Sequence, residues 1–289
     1  YNTADSIIVG NFLGSNALAA VGSSGSPIYL LIGFSQGVAV GAGVVVSQYL
    51  GAKDKKETRI AVHTSLAIAV ILGLILTVGG IAVSRSLLVW MNTPEEVLGD
   101  AVTYMKLYFG GVLFSVVYNM AAGILNAAGN SRRSVIYLAC ASITNIILDP
   151  IFIFALGMGV RGAALATVLS QGLSCAWVLV FLCGKKAFLR LRRENLFVSP
   201  KLILPCVALG LATFTMQASE SVISVCFNAS LLKYGGDIAV GAMTILTSVM
   251  QFAMLPLQGI GQGAQPITSY NFGAKNTDRV RETFRLLLK

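Results

Sequence analysis

The sequence predicts an all-α polytopic membrane protein, and three observations carry that prediction: long apolar runs, charges confined to short clusters, and an internal repeat. Of 289 residues, 55% are hydrophobic and only 11% charged, against about 25% charged in a soluble domain. Apolar runs of twenty or more residues, such as Ala67 to Val83, match the roughly 30 Å of hydrocarbon that one helix must cross. A transmembrane β-barrel would instead show alternating segments of about ten residues.

Taken in order, the apolar stretches between charge clusters predict about nine helices: 1 to 12, 24 to 50, 60 to 84, 101 to 127, 132 to 156, 161 to 184, 202 to 232, 238 to 271, and 277 onward. Tyr1 is not a start methionine, and Lys289 falls within a helical pattern, so the expectation is a chain cut at both ends, unable to transport by itself. Counting Lys and Arg in alternate connections gives seventeen on one side, led by Lys53, Arg59, Arg132, Arg133, Lys185, Lys275 and Arg281. Only Arg85, Lys106, Arg161 and Lys233 fall on the other. Basic loops stay in the cytoplasm, so the connections at 51–59, 128–134, 185–201 and 273–281 are expected there, in a multi-pass plasma-membrane protein. The stretch 185–201 reads as an amphipathic linker on anionic headgroups rather than a nucleic-acid site.

Sliding the chain by 222 residues superposes thirteen identities without a gap, including Gln36 on Gln258, Gly51-Ala-Lys53 on Gly273-Ala-Lys275, and Arg59 on Arg281. Six crossings separate the copies, an even number, so the repeat is parallel. Such repeats build transporters from two bundles with the substrate path between them. The predicted architecture is therefore a 6+6 helix fold. An N-terminal bundle covers 1–184, a linker 185–201, and the start of a second bundle 202–289. Gly33, Gly37 and Gly41, with Gly259 and Gly263 in the second copy, have the spacing that lets helices approach closely.

Three carboxylates, Asp5, Asp149 and Glu220, interrupt apolar segments. Each costs about 3 kcal/mol at a helix centre, roughly 9 kcal/mol together, if ionised against lipid. No Lys or Arg occupies a helix centre to neutralise them, so they are candidates for holding protons or cations. Asn145 and Asp149 lie four apart on one helical face, and Pro150 cannot donate to the carbonyl of Ile146. Burial favours the neutral acid and a bound cation the carboxylate, and competition between the two is the physical basis of antiport. A single histidine, His63, which opens the third helix at its basic end and reads as interfacial, leaves no nucleophile-and-base or metal-ligand pattern of an enzyme, and the five cysteines form no CxxC. No cofactor is expected.

The chain resembles the multidrug and toxic compound extrusion (MATE) family in six segments: Asp5-Ser-Ile-Ile-Val-Gly, Leu18-Ala-Ala-Val-Gly22, Ser47-Gln-Tyr-Leu-Gly-Ala-Lys53, Asn145 to Pro150, Pro256 to Pro266, and Tyr270-Asn-Phe-Gly-Ala-Lys275. The resemblance implies an antiporter that exports small amphiphilic organic cations in exchange for H+ or Na+, and a monomer is the simpler expectation. It implies a cation site of Asp5, Asn145, Asp149 and Thr167, which would also ligate Na+, with Tyr104 and Asn119 as neighbours. Glu220 is similar to the seventh-helix acid of other members. The alternative is a lipid-linked-precursor flippase of the wider superfamily, for which several cavity arginines would be expected.

Overall fold

The computed structural model describes residues 8–91, 93–184, 189, 191 and 200–288. It is built of helices: α1 (residues 8–12), α2 (Ser15–Gly51), α3 (Lys55–Trp90), α4 (Glu95–Ala127), α5 (Ser131–Pro150), a π-helical turn (Ile151–Ala155), α6 (Val160–Cys183), α7 (Pro200–Gly273) and α8 (Thr277–Leu287). Five of them, α2 through α6 with the π turn joined to α5, are long and apolar enough to cross a membrane.

Apolar side chains point outward along these helices, as a bilayer solvent requires. Val70, Ile71, Leu74, Ile75 and Val78 form an exposed band on α3, and Ile143, Ile146 and Ile147 do so on α5. The interior is close-packed around α4, whose Tyr108, Phe109, Val112, Val116 and Met120 are buried between α2, α3 and α6. Small residues set the spacing, since a Cβ at Gly80 would strike the Phe109 ring and one at Gly111 the Val168 side chain.

Helices α3 and α4 extend by five or six residues beyond the expected bounds, to Lys55–Trp90 and Glu95–Ala127, and two larger differences concern where helices begin and end. The second helix starts at Ser15 rather than near 24, because the break falls at Gly14, whose φ of 88° only glycine adopts freely. The stretch expected as two helices, 202–232 and 238–271, is continuous in α7. Gly235-Gly236 is only weakly unfavourable in a helix, about 1 kcal/mol per glycine, and no proline lies within 207–255 to force an end.

Even so, α7 contributes two oppositely directed arms. Gly37 and Gly41 of α2 face Gly210 and Cys206, an antiparallel approach, whereas Gln36, Val40 and Gly43 share a cavity with Gln262, Gln265 and Ser269, a parallel one. More than sixty residues separate Cys206 from Tyr270, about 95 Å of straight helix, yet both meet α2 within a dozen of its residues. The axis of α7 must reverse between them, as two crossings require. Gly37 and Gly41 thus provide the expected close approach, while Gly259 and Gly263 face open space.

The repeat is visible in the backbone. Helix α2 ends with Lys53 in the left-handed region, φ 59°, and the 222-residue shift brings it onto Lys275 at the end of α7, φ 57°. The same paired hydrogen bonds close both ends: Lys53 N–H to Leu50 O and Asp54 N–H to Tyr49 O, then Lys275 N–H to Phe272 O and Asn276 N–H to Asn271 O. The next residue caps the following helix in each copy, Asp54 accepting from the N–H groups of Lys56 and Glu57, Asn276 from that of Arg279.

Candidate functional site

Asn145 and Asp149 occupy one face of α5, a turn apart, and both are fully buried, while Ile146 and Ile147 on the opposite face are half exposed. The Asn145 Nδ2 group donates to Asp149 Oδ1 at 3.4 Å and to Thr167 Oγ1 of α6 at 3.2 Å. Thr167 is also fully buried. Three of the four residues expected in the cation site therefore meet; Asp5 lies outside the described residues.

Directly after Asp149 the helix changes winding. Pro150 closes α5, the Ile151 N–H reaches back only to Leu148 O, and five residues continue as a π turn. π turns are uncommon and concentrate where a side chain must be re-aimed. The start of α6 is seated against this turn, since a Cβ at Gly162 would meet the backbone of Phe152. That contact fixes α6, and with it Thr167, relative to the acid.

A second polar group continues the site along α6. Gln171, one turn beyond Thr167 and buried, donates from Nε2 to the Tyr108 hydroxyl of α4 at 3.4 Å. Tyr104 lies a turn away, its ring tilted 31° to that of Tyr108 with centroids 6.2 Å apart. Tyr104 thus packs beside Tyr108, the partner of Gln171. These two residues were missed from sequence, although Thr167, Ser170, Gln171 and Ser174 form an i, i+3, i+4, i+7 polar stripe on an otherwise apolar helix.

Asn119 does not join this cluster. It lines a separate cavity of about 240 Å³ between α2, α4 and the second arm of α7, together with Gln36, Asn126, Gln262, Gln265 and Ser269. The reason is axial: Asn119 follows Tyr108 by three helical turns on nearly the same face of α4, about 16 Å further along, a depth at which its neighbours are α2 and α7. Glu220 lies in α7, with its side chain outside the described set. His63 is buried at the basic end of α3, its Nδ1 2.8 Å from the Arg59 carbonyl.

The donor set of carboxylate, amide and hydroxyl oxygens is hard, of the kind that suits H+ or an alkali cation. A family model described as MatE matches residues 1–151 and 212–289. The chain belongs to the MatE family. Among curated relatives, it is 26% identical over 285 residues to "Probable multidrug resistance protein YoeA" of Bacillus subtilis, covering 96% of this chain and 61% of that protein. It is likewise 26% identical over 278 residues to "Multidrug export protein MepA" of Staphylococcus haemolyticus, again covering 96% and 61%. A solved structure described as MATE in the bent conformation superposes with TM-score 0.93 at 28% identity, over 99% of this chain and 64% of the other. This MatE chain therefore spans about three fifths of the length of the relatives it matches.

Proposed function

We propose that the protein works as a secondary-active antiporter that exports amphiphilic organic cations in exchange for H+ or Na+, with Asp149 as the coupling group. The observation that carries the reading is the buried cluster of Asp149, Asn145 and Thr167, in a chain whose relatives are named for multidrug export. A carboxylate at this depth is tolerated only if it holds a proton, a cation or hydrogen-bond donors. With the Asn145 amide nitrogen toward Asp149, a donor occupies the direction a cation would take. Turning the amide presents its oxygen instead, so Asn145 can serve both the protonated and the cation-bound states. Asp5 completes the set in this reading, and Thr167 supplies the fixed hydroxyl.

Exchange follows from exclusion. Binding of a cation displaces the proton, and each occupant stabilises a different arrangement of the helices around α5 and α6 only to the extent of its differential affinity. The cargo route lies between the 1–184 bundle and the unit that starts at 202, where the carboxamide-lined cavity supplies hydrogen-bonding groups and, among the described residues, no arginine. That lining favours drug export over the flippase alternative. The basic connections face the cytoplasm of a plasma-membrane monomer.

The test is ethidium efflux from energised vesicles carrying the full-length protein, with H+ and Na+ gradients imposed separately. Asp149→Asn is expected to abolish coupled efflux. Equal efflux by the variant and the parent would remove Asp149 from the mechanism.

A further inference from the structure

Two cavities of nearly equal size, about 730 and 760 Å³, open at the basic end of the molecule and are related by the internal repeat. The first is lined by Lys53, Lys55 and Arg59, with Leu50, Val62 and Leu189 as apolar wall. The second is lined by Lys275 and Arg281, with Phe272, Val280 and Leu202 as wall. The shift of 222 residues carries Lys53 onto Lys275 and Arg59 onto Arg281, the two charged pairs among the repeat's thirteen identities. Each cavity also takes lining from the other copy, Tyr270 in the first and Val45, Gln48, Tyr49 and Ala52 in the second, and Tyr270 and Gln48 are themselves equivalent in the repeat.

A general excess of cytoplasmic lysine would explain basic residues anywhere at this end. It does not explain where these lysines sit. Lys53 and Lys275 are the two non-glycine residues with positive φ among the described residues, a conformation that brings a Cβ too close to the following carbonyl oxygen. Helix α4 ends with the same pair of hydrogen bonds, from Gly129 and Asn130, and there the left-handed position is glycine. The backbone is thus satisfied by glycine, and the lysine is present for its charge. Among the described residues no carboxylate lines either cavity, and the Asp54 side chain is turned to the N–H groups of Lys56 and Glu57.

We infer that both cavities bind the phosphate of an anionic phospholipid headgroup, its acyl chains against the apolar wall, so that each lipid bridges residues of both repeats. The inference is independent of which ion or cargo the protein carries.

The full-length protein in a neutral detergent would be titrated with dioctanoyl-phosphatidylglycerol, dioctanoyl-phosphatidylcholine and inorganic phosphate, following binding and melting temperature. Phosphatidylglycerol is expected to bind about tenfold more tightly than phosphatidylcholine, and Lys53→Gln with Arg59→Gln to weaken one of the two binding equivalents on the order of tenfold while the Lys275 cavity keeps its affinity. Lys53→Arg with Arg59→Lys should keep the affinity, and Lys55→Gln alone should show part of the loss if the double variant fails to fold. Inorganic phosphate binding as tightly as the lipid, with no gain from acyl chains, would overturn the lipid and leave a free-anion site. Parental affinity in the charge-neutral variants, or equal binding of the two lipids, would overturn the site itself.

Discussion

Gly51 of α2 and Gly273 of α7 are related by the repeat, and each faces the backbone of the residue equivalent to its partner's neighbour. A Cβ at Gly51 would collide with the Tyr270 carbonyl, and one at Gly273 with the Gln48 carbonyl. Gln48 and Tyr270 are themselves 222 residues apart, so the contact is reciprocal, as at a two-fold axis. Two helices of different repeats touch here through main chain alone.

Gly51→Ala and Gly273→Ala are therefore expected to be equally harmful, each costing about 1–3 kcal/mol through forced separation of the helices. The check is the melting temperature of the full-length protein in detergent. A large effect for one and none for the other would contradict the reciprocal packing.

Thr167→Val removes the hydroxyl that accepts from Asn145 and leaves a buried amide short of an acceptor, a loss of about 1–3 kcal/mol. Thr167→Ser keeps the oxygen. Coupling-ion affinity, read from the ion dependence of efflux, should fall about five- to a hundredfold for the valine variant and little for the serine one.

Gln171→Leu tests the extension of the site toward α4. The Tyr108 hydroxyl would lose its Gln171 donor, and the expected result is a slower coupled efflux with unchanged folding, seen as reduced rate without a change in melting temperature.

Asn119→Ala should separate the two cavities. Because Asn119 lines the carboxamide chamber and not the acid cluster, its loss is expected to change the relative rates for different dye cargoes while leaving ion dependence as in the parent. A shift in ion dependence would place Asn119 back with Asp149.

The sequence made the acid cluster readable because two strong local rules coincide at 145–150: residues four apart share a helical face, and proline interrupts the pattern beside them. Thr167 came through resemblance, although the stripe that contains it, with Ser170, Gln171 and Ser174, was in plain view. Asn119 fell outside the cluster because one polar residue does not tell at which depth along its helix a polar partner waits; it lies three turns from Tyr108 on nearly the same face of α4. The join of two expected helices in α7 has a similar origin, since Gly235-Gly236 permits a break without enforcing one, and the reversal is dictated by tertiary contacts with α2. The parallel repeat, by contrast, was legible from thirteen identities and returned as matching helix ends.

Those helix ends give the molecule an internal control. One backbone shape closes α2, α4 and α7, with a cationic side chain at positions 53 and 275 and a bare glycine at 129. Exchanging residues among the three sites varies the side chain while the conformational demand stays constant, so what the main chain needs and what the ammonium group adds become separately measurable quantities within a single polypeptide.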